Sequence, residues 1–476
     1  MVFSSPFFLF LFLPAVLTLY FIAPHVARNA VLLLASLLFY AWGEPRFIVV
    51  LLASVSLNYA LGLLVERYRE GLLGKAVLFG AVALNIGLLL FYKYAVFAME
   101  TVEALRAFAF PGAGPITIGH IELPLGISFF TFHQLSYVID VRRRHATAQR
   151  NPFRLALYIA FFPQLIAGPI VRYHEIAHQL VWRHVDTVRF AAGAERFILG
   201  LGKKMLIANT VAVSADAIFA LPADQLATPL AWLGIVCYSL QIYFDFSGYS
   251  DMAVGLAALF GFRFPENFDY PYVSASLTEF WRRWHISLSR WFRDYLYIPL
   301  GGNRGSPLRT YANLATVFFL CGLWHGASWT FVVWGIYHGV FLVVERAGLG
   351  KVLAKWPRML QHAYALLAIM MGWVLFRADT LRHASVYFRA LAGLGPRVDY
   401  NGTIYLDSER ALAILVGVVA SAACLPAVRS AIVRRADAAS AGIASTVRVA
   451  GFGLVFVGCA IKLSANTYNP FIYFRF

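Results

Sequence analysis

Charge is what this sequence has least of. Of its 476 residues only 13% are Asp, Glu, Lys or Arg, about half the share in a soluble domain. That excludes an ordinary water-soluble fold. Acid is scarcer than base, with 24 Asp and Glu against 40 Lys and Arg and a net charge of +16. No soluble basic domain accompanies that excess, so nucleic acid is excluded as a partner. Lys and Arg instead gather in short loops, as they do on the cytoplasmic side of a membrane beside anionic lipid.

Cysteine is nearly absent. Cys237, Cys321, Cys424 and Cys459 all sit in apolar runs, which excludes a disulfide framework and suits small core residues. The opening "MVFSSPFFLFLFLPAVLTLYFIA" has no basic n-region and no clear cleavage site, so it reads as a retained first helix rather than a signal peptide. Internal repeats of the kind many transporters carry are missing. The apolar runs do not alternate polar with apolar, which excludes a transmembrane barrel.

What is present is apolar length, since 60% of the residues are hydrophobic. Uncharged runs at Phe47–Val65, Leu226–Phe244, Met359–Phe376 and Ala411–Val428 each approach the roughly 20 residues of a membrane-crossing helix. The expected fold is therefore all-α: a polytopic bundle of roughly ten helices, each crossing with its loop taking about 40 residues. Residues 1–476 read as one membrane domain. The basic loops 66–75, 141–154 and 428–435 should be cytoplasmic. The loop expected after Tyr94, with Glu100 and Glu103, suits the outer face. A last span near Val447–Ser464 then leaves the C-terminal tail outside. Leu155–Val171 is interrupted by Pro163 and Gly168-Pro169, as helices are where they line protein or a water-filled cavity.

One segment breaks the apolar pattern. "FWRRWHISLSRWFRDYLYIPLGGNR", residues 280–304, holds five arginines, three tryptophans and a histidine. Wound as a helix over 280–293, it puts Phe280, Trp281, Trp284, Leu288, Trp291 and Phe292 on one side. Arg282, Arg283, Arg290 and Arg293 fall on the other, with His285 at the border. Too short to span, it should lie in the interface. It serves either as a lipid-surface anchor or as the lining of a cytoplasmic mouth whose arginines attract a phosphate-bearing donor. The "GGNRG" that follows offers backbone N–H groups to a phosphate, a weak signal by itself.

Residues 310–344 contain no Asp, Glu, Lys or Arg, yet hold "CGLWHGASW" with His325 deep inside. An ionisable side chain at such a place points to function. A histidine kept from water favours its neutral form, which can take a proton from a hydroxyl. The structural alternative is a histidine hydrogen-bonded between helices. Cys321, one turn earlier, could share its face, but a thiol in an apolar run is a poor nucleophile. "HEIAH", residues 174–178, matches the zinc-protease pattern, with His184 a third ligand of undefined geometry. Five residues with three specified arise easily by chance in a chain with 12 histidines.

Three long stretches then resemble a known family. "QIYFDFSGYSDMAVGLAALFGFRFPENFDYPY" (241–272), "SLTEFWRRWHISLSRWFRDYLYIPLGGNRG" (276–305) and "GLWHGASWTFVVWGIYHG" (322–339) are similar to membrane-bound O-acyltransferases of the bacterial branch that acetylates polysaccharides. "LPLGISFFTFHQLSYVIDV" (123–141) and "FPQLIAGPIVR" (162–172) extend the likeness, which weakens over 377–446.

The resemblance implies helices in a ring around a thin centre. A cytoplasmic passage would admit an acyl donor and an outer cavity the acceptor. It implies His325 as the base and His285 as the second motif histidine, with Trp281, Arg282, Trp284, Asn303 and Trp324 as candidate lining of the donor passage. No bound cofactor or metal is expected, and acetyl-CoA is the expected donor. The acceptor would be an extracytoplasmic polysaccharide, alginate first, with peptidoglycan, cellulose or another exopolysaccharide as further options. A periplasmic esterase-like partner would complete the transfer in a bacterial inner membrane. The tail "FIYFRF" is similar to the C-terminal aromatic motif of the small partner in teichoic-acid D-alanylation systems. That likeness makes Tyr473 a candidate acyl relay, against the plainer reading of an interfacial anchor. Two rival functions remain open at this level: a transporter of acyl donor or polymer without chemistry, and a zinc protease using His174, Glu175 and His178.

Overall fold

The computed structural model describes residues 1–111, 114, 119, 121–422 and 438–465. Two short apolar helices, α1 (Phe8–Ile22) and α2 (Arg28–Gly43), come first. They are followed by α3 (Ile48–Arg67), α4 (Gly71–Ala109) and α5 (Ile127–Arg142). The centre holds α6 (Thr187–Phe219) and α7 (Thr228–Leu259). Next come α8 (Leu277–Arg283), α9 (Ile286–Phe292), α10 (Pro307–His325), α11 (Trp329–Val344) and α12 (Arg358–Arg377). Ser408–Ser421 (α13) and Ala438–Ser464 (α14) close the described chain. Among the described residues seven helices are long and apolar enough to cross a membrane, and the protein is a polytopic all-helical membrane protein.

Burial orders these helices. The apolar windows of α6 and α7 are 72% and 83% buried, whereas that of α4 is 17% buried, so α6 and α7 are the interior and α4 is an outer wall. The α6–α7 seam is set by small residues. A Cβ on Gly193 would stand 2.9 Å from the Gly255 carbonyl oxygen, and one on Gly248 would stand 2.7 Å from that of Gly200. Two glycines seven residues apart on each helix thus let the backbones touch, the usual means of tight helix packing in lipid.

Two expectations change in the structure. The helix of α4 continues past Tyr94 to Ala109, and Glu103 pairs along it with Arg106 at 2.9 Å. More consequentially, 280–293 is not one helix. It breaks between α8 and α9, where His285 takes a left-handed backbone conformation (φ 44°, ψ 54°). Its apolar stripe faces protein: Trp281, Trp284, Leu288 and Trp291 are buried. Arg282, Arg290 and Arg293 are exposed, and Arg283 is half-buried. Periodicity sorted these side chains correctly but could not foresee the break. The break is imposed by a partner segment remote in the chain: Ile286 N–H donates to the Asn267 carbonyl and Asp269 N–H to that of Arg283, both at 3.0 Å. A non-glycine residue held left-handed costs about 1–3 kcal/mol, and such strain concentrates at functional sites.

Candidate active site

The apolar segment 310–344 folds as a hairpin. Ser306 caps α10, its Oγ accepting from Arg309 N–H at 3.3 Å, and Ser328 caps α11, its Oγ accepting from Thr330 N–H at 3.4 Å. The helices cross where Gly322 meets Gly335, a Cβ on either one lying 3.0 Å from the other's Cα. That contact brings Trp334 of α11 against His325, the last residue of α10. The imidazole sits in an aromatic box, with ring centroids 4.8 Å from Trp324, 5.0 Å from Trp334 and 5.2 Å from Phe376 of α12.

His285 reaches the same box from the broken helix, its ring 6.2 Å from that of Trp324. Its Nδ1 lies 3.1 Å from Asn267 Oδ1, which also accepts from Ser287 Oγ at 2.9 Å. Asn267 therefore orients His285, and nothing in its own neighbourhood announced that role. His338, one turn after Trp334, is a third buried histidine that sequence reading passed over, although it lies in the same uncharged run as His325. Its ring is 5.0 Å from Trp334 and 5.0 Å from Trp281. The box is thus continuous: His285, Trp324, His325, Trp334, His338 and Trp281 in contact order.

Its polar atoms are mostly unused. Among the described residues Nδ1 of His325, Nε2 of His285, both ring nitrogens of His338 and the indole N–H groups of Trp281, Trp324 and Trp334 are buried without hydrogen-bond partners. Each such group costs about 1–3 kcal/mol. Here seven of them stand in one connected set of rings, and a cluster of this kind calls for an explanation.

The other expected lining residues divide. Trp284 packs on Phe280, Phe268 and Trp373, behind the box. Arg282 is exposed, and exposed Asn303 accepts from Tyr297 Oη at 2.5 Å in the loop before α10. Both lie outside the box. Beyond His325 from that loop, a cavity of about 180 Å³ is lined by Ser328, Thr330, Phe331, Phe376, Arg377 and Asp379 among others. Phe376 is shared between this cavity and the histidine box. Tyr473 and Cys424 lie outside the described residues.

The zinc-protease arrangement does not form. The helix at "HEIAH" is a single turn, Tyr173–Ile176, and His178 lies past its end and is exposed. Glu175 is occupied by Arg172, accepting from its guanidinium at 2.5 Å and its N–H at 3.0 Å. His174 turns to the buried Asp140, with Nδ1 2.8 Å from Oδ2. This hydrogen bond holds the His174 imidazolium above the ordinary histidine range. The ligand-like group in this region is Asp140, His145 and His174, without the Glu175 or His178 that the protease chemistry requires.

The histidine box and the cavity beside it thus meet at Phe376. Comparison with known proteins gives the family. The model of the membrane-bound O-acyltransferase family matches residues 60–381. A probable alginate O-acetylase of Azotobacter vinelandii is 42% identical, with all of both chains covered. A peptidoglycan O-acetyltransferase of Helicobacter pylori is 36% identical over 83% of this chain and 80% of its own. A teichoic acid D-alanyltransferase of Bacillus subtilis is 31% identical over 46% of this chain and 58% of its own. The chain belongs to the membrane-bound O-acyltransferase family.

Proposed function

We propose that this protein is an O-acetyltransferase of the bacterial inner membrane that uses acetyl-CoA from the cytoplasm to O-acetylate an extracytoplasmic polysaccharide, alginate first among candidates. The observation that carries the reading is the histidine box: a buried base among unpartnered N–H donors. In the reaction His325 takes the proton of an acceptor hydroxyl. The hydroxyl oxygen bonds to the acetyl carbon, the C–S bond breaks, and the proton passes to the departing thiolate. Nearby indole N–H groups offer hydrogen bonds to charge building on the carbonyl oxygen. His285, held by Asn267, supports orientation, donor binding or proton relay.

In this reading the donor enters along Trp281 and Trp324, with Arg282 and Asn303 at the outer rim of the mouth and Trp284 backing its wall. The acceptor approaches through the cavity lined by Arg377 and Asp379. The C-terminal tail is periplasmic, Tyr473 relays the acetyl group, and a periplasmic esterase-like partner delivers it to polymer. The test is the O-acetyl content of exported polysaccharides in wild type, deletion and His325→Ala strains at matched membrane levels. Loss of acetyl groups from one polymer in both mutants is expected, and names the polymer. If deletion abolishes acetylation but His325→Ala leaves it intact, the base is wrongly assigned and transport without chemistry takes precedence. Tyr473→Phe with full activity would remove the relay.

A further inference from the structure

The catalytic hairpin has an anchor on a distant helix. α4 is an outer wall, yet well inside it stand Lys93 and Tyr94. Lys93 Nζ donates to the Trp324 carbonyl at 2.5 Å and to the His325 carbonyl at 3.2 Å. Tyr94 Oη donates to the Leu323 carbonyl at 2.5 Å. These are successive carbonyls of the last turn of α10, the ones that a helix end leaves without intrahelical partners. The ammonium also stands 5.9 Å from the Trp324 ring centroid, within cation–π range. A cation suits a helix C-terminus electrostatically.

An ammonium is nonetheless a costly choice here. Lys93 is half-buried in a lipid-facing span, so whatever protein does not cover is not freely hydrated, and charged side chains at such depth are rare and functional. No carboxylate pairs with it among the described residues. A neutral hydroxyl would satisfy a single carbonyl at lower cost, and a Gln amide, with two N–H donors, has a shorter stem. What Lys93 adds is a longer stem and a charge directed at two carbonyls at once, those of Trp324 and of His325 itself.

We infer that Lys93 is a positioning residue for acyl transfer, with Tyr94 as its second point of attachment. Together they hold the last turn of α10 so that the His325 imidazole faces the reacting atoms. The inference rests on His325 being the base, as proposed above. The physical stake is large, because a displacement of about 1 Å in a positioned catalytic group lowers a rate by about 100-fold.

The test uses the full-length protein in membranes, at matched levels of folded protein, with the rate of acetyl-CoA consumption measured over a donor series. Lys93→Met should lower kcat by about 100-fold while KM for acetyl-CoA stays within about threefold. Lys93→Gln, which restores a donor without the charge, should recover about tenfold of that loss, and Tyr94→Phe should lower kcat by about threefold to tenfold. Lys93→Met within twofold of wild type overturns the inference. So does a loss confined to KM. If Lys93→Met does not accumulate, full activity of both Lys93→Gln and Tyr94→Phe overturns it instead. His325→Ala in the same assay separates the two claims: an active His325→Ala sinks the proposed function, whereas an inactive one beside an active Lys93→Met sinks only the role of Lys93.

Discussion

Two buried regions of this protein differ in how they hold their ionisable groups. At the α6–α7 seam the charges are matched. Lys204 pairs with Asp245 at 2.6 Å, both side chains 3% exposed, and Asp251 is shared by Lys203 at 2.6 Å and Arg196 at 2.9 Å. In the histidine box of α8–α12, three histidines and three indoles keep nitrogens without partners. The seam holds the fold together, since removing one member leaves an uncompensated buried charge. In the proposed function a substrate supplies the partners that the box lacks. Buried polar atoms without partners also occur elsewhere, at Gln241, Ser247 and Ser250 of α7 and at His133; what sets the box apart is that three histidines and three indoles with open nitrogens touch one another.

The largest effect is expected in the box. His325→Ala should lower acetylation by about 10³-fold or more, within the range of general-base losses. Its thermal unfolding in detergent should stay within a few degrees of wild type, because the ring has no hydrogen bond to lose at Nδ1. A large drop in unfolding temperature would return His325 to a structural role.

The seam should respond in the reverse sense. Lys204→Met should destabilise by about 3–5 kcal/mol by stranding the Asp245 carboxylate, and adding Asp245→Leu should recover most of that. Residual folded protein should keep its turnover number. Equal stability in Lys204→Met and wild type would show that this pair is not what joins α6 to α7.

Between these extremes lies Asn267. Replacing it by alanine removes the acceptor that faces His285 Nδ1 and Ser287 Oγ, and should cost about 1–2 kcal/mol. If His285 must be held in place, kcat should fall by about tenfold, as 1.4 kcal/mol of lost transition-state stabilisation implies. A variant with unchanged kcat would leave His285 with no need of orientation.

The smallest effect belongs to a third region, the Asp140–His174 pair at the basic loops. The hydrogen bond raises the folded-state pKa of His174 above its ordinary 6.5. Its stabilisation is therefore complete below about pH 6.5 and fades as pH rises through the higher folded value. Wild-type thermal stability should decline across that interval more steeply than that of His174→Gln. Parallel curves would show that the pair carries no linkage.

Much of the fold is legible in residue type and spacing. Charge scarcity and apolar runs dictate a helical membrane protein, because a bilayer tolerates unpaired backbone only in closed hydrogen-bonded forms. The span expected at Met359–Phe376 is α12, Arg358–Arg377, and that at Phe47–Val65 is α3, Ile48–Arg67. His325 stands out as an ionisable residue in an uncharged run. His338 and Lys93 carry a similar signal, and residue type alone does not say which of the three meets the reacting atoms. The break at His285 is not legible, since helical periodicity in 280–293 is sound and the bonds that stop the helix come from the backbone of Asn267 and Asp269, in a segment before α8. Nor is the anchor of α10, since Lys93 and the Trp324 carbonyl are 231 residues apart.

Residue order alone thus specifies the solvent and the candidates: lipid, helices and an ionisable side chain, His325, in an uncharged run. These follow from residue type and spacing, which act locally. Which nitrogen is paired, which is left open, and what holds the base in place were decided only by tertiary structure. Each depends on a directional contact of about 3 Å between segments far apart in the chain, and composition carries no information about those meetings.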